Sequence, residues 1–303
     1  MISVDIEKIK GRIIINKVKQ MGVGMLFLLS WLQVLMPTTL VAGEMSSTAV
    51  TTEDNRLADG GYIELGVSAF AVNKIDARQI DHIPVQPSLL FSGVYQYKGL
   101  FVEAIHQSQD GVNLGVNIWN SEHWSLDILA ANLQSSKQRS EEVEVSMLNE
   151  AGRDTYLMSE DSLFIGAGFR ATRYWDDNYV FQYQIVSDYF DDQGILSSAR
   201  LGKSWQVHNW NFHVLGRVEY YSATLSRYLY GISTEEATER FPEYQPGSAF
   251  NYGLEVGVAY PLSESLVFRS MYRFKVLSNE ITDSPFSLAE QMSFFNVSVS
   301  YVF

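Results

Sequence analysis

Apolar and polar residues alternate with period two along most of this chain, from Gly61 almost to its end. The segment Phe295–Phe303 shows the pattern best, because every odd position is large and apolar while one Asn and two Ser lie between them. This alternation is typical of a β-strand whose two faces meet different surroundings. The segment Tyr252–Tyr260 repeats it, with Glu255, two glycines and an alanine on the less apolar face.

About twelve segments share this alternation, and most run to ten residues or more. A tilted strand needs about 9–11 residues to cross the hydrocarbon layer, whereas strands of soluble sheets are usually about 5–6 residues long. The lengths therefore predict membrane-crossing strands. They lie near residues 61–72, 86–97, 99–106, 111–118, 124–134, 162–174, 178–188, 194–207, 209–222, 250–261, 265–276 and 292–303.

Long and short connections separate these segments. The long ones, all odd in chain order, span 73–85, 135–161, 223–249 and 277–291. The even ones are short and lie at Lys98-Gly99, Asn120–His123, Trp175–Asp177, His208-Asn209 and Pro261–Ser265. Two odd connections, near 107–110 and 189–193, are short as well. In outer-membrane barrels, long external loops alternate with short periplasmic turns along the chain. We therefore predict an all-β fold, a transmembrane antiparallel up-and-down β-barrel of about 12 strands with both termini on the periplasmic side.

Charged side chains fall on the less apolar face of these strands, which a barrel turns towards its lumen. They carry both signs, which predicts ion-paired walls in a narrow or partly plugged lumen. The residues expected there are Glu64, Glu103, Arg170, Arg200, Arg217, Glu219, Glu255, Arg269 and Arg273.

The N-terminus has the layout of an export signal. Five basic residues precede the apolar run 21–36, and small residues follow at Val41–Gly43. We expect residues 1–43 to be a signal peptide, 44–60 a flexible periplasmic lead-in and 61–303 the barrel. An uncleaved N-terminal membrane anchor is the alternative.

Composition agrees with an envelope barrel. Aromatic residues make up 13% of the chain, which aromatic belts at the membrane interfaces would explain and which a β-sandwich core would explain in part. The net charge of −13 makes nucleic acid an unsuitable partner. Cysteine is absent, which excludes thiol catalysis and thiolate metal sites.

No motif predicts a catalytic, metal or cofactor site, and we expect none. The five histidines are not at metal-ligand spacing, and no GxSxG motif occurs. Ser187, Asp188 and His213 could in principle lie together as the Ser, Asp and His of a hydrolase site. Any barrel offers such a set of three residues, so this is weak support for an enzyme. Asp188, Asp191 and Asp192 form an acidic cluster that is either a calcium site or, more simply, a solvated loop.

The C-terminus carries a more specific mark. An alternating strand that ends on Tyr301-Val302-Phe303 resembles the terminal strand by which outer-membrane proteins are recognised for insertion.

Region 223–303 resembles the MipA/OmpV family. The resemblance is carried by a loop of the form YYG(V/I)s..EA…(L/F)P.Y..G before the last three strands, with Asp283-Ser284-Pro285 before the last one. In this chain the loop residues are Tyr228, Tyr230, Gly231, Pro242, Tyr244 and Gly247.

The resemblance implies an outer-membrane barrel without enzymatic activity. One branch of the family acts as a scaffold that joins a lytic transglycosylase to a murein synthase, while others are described as porin-like proteins or adhesins. Our leading hypothesis is therefore a Gram-negative outer-membrane scaffold for murein enzymes, in contact with membrane lipid and lipopolysaccharide. A narrow porin-like channel and a surface adhesin are the alternatives.

Overall fold

Each alternating segment forms a β-strand in the computed structural model. The structure describes residues 59–77, 84–106, 111–131, 165–175, 178–189 and 194–303, together with short strand pieces between 136 and 163. We number the strands of the barrel in chain order. They are β1 (Gly60–Val72), β2 (Val85–Tyr97), β3 (Leu100–Ala104), β4 (Val112–Asn120), β5 (Trp124–Ala131), β6 (Gly166–Trp175), β7 (Tyr179–Asp188), β8 (Ile195–Val207), β9 (Trp210–Tyr221), β10 (Ala249–Pro261), β11 (Leu266–Val276) and β12 (Gln291–Val302).

Neighbouring strands pair in an antiparallel manner around a closed barrel. The last strand returns to the first, with Leu65 opposite Tyr301 and Ala71 opposite Phe295. This pairing removes the edge strands that an open sheet would expose to lipid. The predicted twelve-stranded up-and-down topology is confirmed.

The alternation turns apolar side chains outwards and polar side chains inwards. On the outer surface Leu89 is 84% exposed and Val67 is 60% exposed. On the inner face Asp127 and Arg200 are only 0% and 1% exposed. A water-soluble protein would have the reverse arrangement, whereas a barrel in a bilayer exposes its apolar band to lipid. The fold is therefore that of a transmembrane barrel.

The two ends of the barrel differ in their connections. The turn end carries the start of β1, the end of β12 and the five even connections, all of them short, as predicted. At this end Lys98 and Gly99 have φ values of 50° and 84°, the left-handed conformations that a two-residue type I′ hairpin requires. The opposite end, which we call the loop end, carries the long connections and two short ones, between β3 and β4 and between β7 and β8.

Strand β3 is shorter than the predicted segment 99–106, because the chain leaves the barrel wall after Ala104. His106 Nε2 lies 3.0 Å from the hydroxyl of Ser68, an inward-facing residue of β1. The predicted segment continues past Ala104, the last residue of β3 that pairs with β4. Alternation alone therefore could not locate the end of the strand.

The connection between β5 and β6 contains strand pairs, although it was predicted as a loop. It holds three short antiparallel ladders, each a separate two-stranded sheet. They pair Ser136–Lys137 with Ser162–Leu163, Val143–Glu144 with Leu157–Met158, and Met147–Asn149 with Gly152–Asp154.

Two helices of the loop end were not predicted. Helix α1 (Ala223–Tyr230) begins after Ser222, whose hydroxyl accepts a hydrogen bond from the Leu225 amide. Helix α2 (Asn279–Thr282) is a single turn with a similar cap from Ser278. Within the described ranges, neither helix is long and apolar enough to cross a membrane. The predicted signal peptide, 1–43, and all but the end of the predicted lead-in, 44–60, lie outside the described residues.

Candidate functional site in the barrel lumen

The first cluster of lumen charges joins β3, β4, β5 and β6. Arg170 contacts Glu103 at 2.5 Å through Nη1 and Asp127 at 2.9 Å through Nε. The amide of Asn113 donates a second hydrogen bond to the Glu103 carboxylate. All four side chains are buried, so the charges depend on one another for the solvation that water would otherwise supply.

A second cluster lies on β9, β10 and β11. Glu219 contacts Arg217 Nε at 2.7 Å and also contacts the Lys275 ammonium group. Glu255 accepts hydrogen bonds from Arg273, with Nη2 2.8 Å away. The other oxygen of Glu255 lies 3.0 Å from His213 Nε2.

A third group holds the seam where the barrel closes. Arg269 on β11 binds both carboxylate oxygens of Glu64 on β1, at 2.9 and 2.7 Å. Ser300 on β12 lies between them, with its hydroxyl bonded to both side chains. A bidentate guanidinium–carboxylate pair thus spans the pairing of the first and last strands.

The structure places all the predicted lumen residues on the inner face. All of them take part in close polar contacts, and only Arg269 keeps a sizeable exposed fraction, 28% of its side chain. The lumen wall is therefore neutralised mainly by pairs within itself.

Apolar side chains fill a further part of the lumen. Leu225 of α1 is buried against inward-facing Phe101, Leu129 and Val186, which belong to β3, β5 and β7. Helix α1 therefore lies against the inner wall rather than projecting from the loop end. The prediction of a narrow or partly plugged lumen stays a prediction.

The loops of the loop end pack into a separate structure, which we call the cap. It comprises residues 73–77, 231–248 and 277–290. Its centre is an apolar cluster in which Ile232, Phe241 and Phe286 are almost fully buried. Backbone hydrogen bonds join the first and last loops, from Ala77 N to Phe286 O and from Leu288 N to Ile75 O.

Residues 65–303 match the model of a protein family described as "MltA-interacting protein MipA". The chain belongs to this family. The match covers nearly the whole barrel, whereas the resemblance seen in the sequence was carried mainly by region 223–303.

In this member of the MipA family, several motif residues build the cap. The Tyr244 hydroxyl donates to the Glu280 carbonyl, and the Gly247 amide donates to the Glu280 carboxylate. Burial, helped by the nearby acids Glu280 and Asp283, raises the pKa of Tyr244. The hydroxyl of Ser284 donates to the Tyr230 carbonyl, which links α1 to the last loop.

The remaining motif positions are placed as follows. Gly231 ends α1, and a Cβ at this position would lie 2.4 Å from the Arg227 carbonyl oxygen. Tyr228 packs beside the Leu225 cluster, and Pro242 is exposed. Tyr301, part of the predicted insertion signal, points outwards and is 47% exposed, while Phe303 directly follows β12.

The hypothetical hydrolase trio does not assemble. Ser187 and Asp188 are consecutive in β7 and so face opposite sides of the wall, while His213 is bonded to Glu255. Asp191 and Asp192 lie outside the described residues. In the described part of the chain, no group of three or more His, Asp or Glu is arranged to hold a metal ion.

Comparison with curated proteins found no match. Among solved structures, the chain resembles the CymD monoaromatic hydrocarbon channel at a TM-score of 0.40 and 10% identity, covering 88% of this chain and 98% of that one. It resembles OprD from Pseudomonas aeruginosa at a TM-score of 0.34 and 12% identity, covering 86% of this chain and 73% of that one. It resembles OmpT of Vibrio cholerae at a TM-score of 0.33 and 8% identity, covering 78% of this chain and 76% of that one. These scores are low, so the barrel assignment stands on the strand register of this chain.

Proposed function

We propose that this chain is an outer-membrane scaffold that holds murein enzymes at the turn end of its barrel. The observation that carries the proposal is the state of the lumen wall, where the charges are buried in contact with one another and Leu225 of α1 covers part of the inner surface. Such a barrel is suited to anchoring a partner rather than to passing solutes. The family name, which describes interaction with MltA, supports a murein enzyme as that partner.

The turn end is the end that would face the periplasm. In outer-membrane barrels the short turns and both termini lie on the periplasmic side. We propose that the chain is exported by its N-terminal signal, residues 1–43, and that the exposed apolar band contacts lipid and lipopolysaccharide. A lytic transglycosylase and a murein synthase would then reach the short turns and the lead-in at 44–60.

Leu262 marks a place for such a contact. It lies in the short turn between β10 and β11 and is 51% exposed. Its neighbours in the turn are Pro261 and Ser263–Ser265, so Leu262 is the large apolar side chain of this turn. We propose Leu262 as one contact with a protein partner in the periplasm.

Crosslinked envelopes provide the test. Affinity purification of the tagged barrel from these envelopes should enrich a lytic transglycosylase. The substitution Leu262→Ser should reduce this enrichment several-fold. Leu288→Ser is the matched control, because Leu288 is 48% exposed at the loop end. Failure to enrich any murein enzyme would contradict the proposal, as would an equal loss in both variants. Unboiled samples should migrate differently from boiled ones on SDS gels in every variant, which shows that the barrel is folded.

A narrow channel is the second candidate, favoured by the polar side chains that line the inner wall. Single-channel recording in a planar bilayer separates the two. The scaffold proposal expects a silent bilayer from protein that is shown to be folded by its heat-modifiable migration. Discrete conductance steps that disappear on boiling would favour the channel.

A further inference from the structure

Two cations lie on the outer surface of the barrel strands. Arg173 of β6 alternates in step with Trp175, and Lys203 of β8 alternates in step with Trp205, so both cations face outwards. The two tryptophans are 39% and 41% exposed. The other charged residues of the described barrel strands point into the lumen, and all the carboxylates among them are buried there. The outward face of these strands therefore carries positive charge without any strand carboxylate to balance it.

The charged groups of these two side chains converge near the turn end. Trp175, the last residue of β6, pairs with Tyr179, the first residue of β7. The guanidinium carbon of Arg173 lies 4.8 Å from the ring centre of Trp175. The Lys203 ammonium group lies 4.1 Å from the ring centre of Tyr179 and donates a hydrogen bond of 2.9 Å to its hydroxyl. Because adjacent strands are only about 4.8 Å apart, one small anionic group can contact both cations.

Arg173 keeps hydrogen-bond donors that the described residues do not use. Its guanidinium also lies over the ring of Trp124, with 5.2 Å between the guanidinium carbon and the ring centre. Its Nε is shielded from solvent and has no hydrogen-bond partner in the described part of the chain. Aromatic rings attract the positive charge but do not accept the N–H groups in the guanidinium plane. Among the described residues, no carboxylate forms an ion pair with Arg173 or Lys203.

The surrounding aromatic side chains place the two cations at the level of lipid headgroups. Tryptophan and tyrosine are enriched at membrane interfaces, and a cation is costly deeper in the hydrocarbon. At the interface, the phosphate of an anionic phospholipid supplies both negative charge and oxygen acceptors in a geometry that a guanidinium matches. A zwitterionic phospholipid also has a phosphate, but its ammonium group brings a further positive charge close to the two cations.

We propose that Arg173 and Lys203 bind the phosphate of an anionic phospholipid in the leaflet that meets the turn end. The guanidinium donates its free N–H groups to the phosphate oxygens, and the ammonium group supplies the second positive charge. Trp175 and Tyr179 pack against the glycerol and the first carbons of the acyl chains. The site lies on the lipid-facing wall, so it goes beyond the scaffold role and does not depend on the partner that the turn end holds.

Lipid retention by the full folded chain tests the proposal. The protein in a non-ionic detergent is mixed with equal amounts of phosphatidylglycerol and phosphatidylcholine that have the same acyl chains, and native mass spectrometry counts the bound lipids. The wild type should retain phosphatidylglycerol in preference to phosphatidylcholine. Arg173→Gln and Lys203→Gln should each lower this preference about fivefold, the contribution of one cation near an anionic lipid surface. The double variant should show no preference.

Two further variants serve as controls. Lys98→Gln removes a cation that also lies over an aromatic ring at the turn end, with Nζ 5.2 Å from the ring centre of Tyr97. Lys98 belongs to the turn between β2 and β3, away from the two outward-facing cations, so this variant should keep the preference. Lys203→Arg retains the charge and should keep it as well. Heat-modifiable migration on SDS gels shows that each variant is folded.

Three outcomes would overturn the proposal. The first is equal retention of the two lipids by the wild type, because the cations would then be neutralised within the protein, for example by Asp176 and Asp177 of the adjoining turn, which lie outside the described residues. The second is an equal loss of preference in Lys98→Gln, which would assign the preference to the overall charge of the turn end. The third is displacement of the lipid by excess inorganic phosphate, which would show a site for soluble phosphate instead.

Discussion

Arg170 on β6 reaches Glu103 on β3, with Nη1 and Oε1 2.5 Å apart, across the inner faces of the two strands between them. On the way its Nε contacts Asp127 of β5 at 2.9 Å. The guanidinium carbon also lies 5.0 Å from the ring centre of Phe101. A single side chain therefore spans four of the twelve strands, a third of the barrel wall, from the inside, at a place where the side chains are buried.

Replacement of Arg170 by methionine should be among the most damaging changes in the lumen. It would leave Glu103 and Asp127 buried without their cation, which costs about 3–5 kcal/mol. Denaturant unfolding in detergent micelles, followed by tryptophan fluorescence, would measure the loss.

The matched control is Arg173→Met, three residues along the same strand. The Arg173 guanidinium lies over the rings of Trp124 and Trp175, so its removal should cost only about 0.5–1 kcal/mol. A further change of Glu103→Gln and Asp127→Asn in the Arg170→Met chain should recover most of the stability. Equal losses for the two arginines would show that the buried pairs contribute little.

Much of this barrel could be predicted from the sequence because its period-two pattern has a direct physical cause. Glu255 and Val256 must face lumen and lipid respectively, and a shift of one residue would exchange them. The position of each charged residue on the lumen side of the wall follows from the same alternation. The particular partners do not, since Glu103 and Arg170 are separated by 67 residues and two intervening strands.

The cap and helix α1 could not be predicted in the same way. Contacts such as Tyr244 with Glu280 join loops that are distant in sequence and have no periodicity. The motif with Tyr244 and Gly247 marked the loop by resemblance but gave no physical reason for it. Ser222 before the helix and Gly231 after it are ordinary capping residues, and these were the signals that would have indicated α1.

Gly168 should not tolerate a side chain. A Cβ there would lie 1.9 Å from the Ile185 carbonyl oxygen on the neighbouring strand, so the backbone would have to move. We expect Gly168→Ala to lower the free energy of unfolding by about 1–3 kcal/mol. Gly216→Ala, with its open surroundings, should change it by less than about 0.5 kcal/mol. Similar losses in both variants would contradict the close strand approach at Gly168, and the same denaturant assay measures them.

The cap should open without unfolding of the barrel when its apolar centre is removed. Phe286→Ala deletes a ring that is 1% exposed and 5.2 Å from the ring of Phe241, so the cap should lose about 3–5 kcal/mol. Trypsin should then cleave after Arg240 much faster than in the wild type, while heat-modifiable migration persists. Leu288→Ala, at an exposed position of the same loop, should leave cleavage unchanged. Loss of heat-modifiable migration in Phe286→Ala would show instead that cap and barrel fold together.

Tyr244 should make the cap sensitive to alkaline pH. Burial and the nearby acids Glu280 and Asp283 raise the pKa of this hydroxyl in the closed cap above its ordinary value of 10.0. In the open cap the tyrosine ionises at the lower pKa, so the stabilisation is fully present below that value and is lost as the pH rises through the folded pKa. Tryptic cleavage after Arg240, relative to that of an unstructured reference peptide at the same pH, should rise between about pH 9 and about pH 11. Tyr244→Phe cannot ionise and loses the bond to the Glu280 carbonyl, so its cleavage should be faster at neutral pH and should rise less over this range. An equal rise in both proteins would show that another group opens the cap.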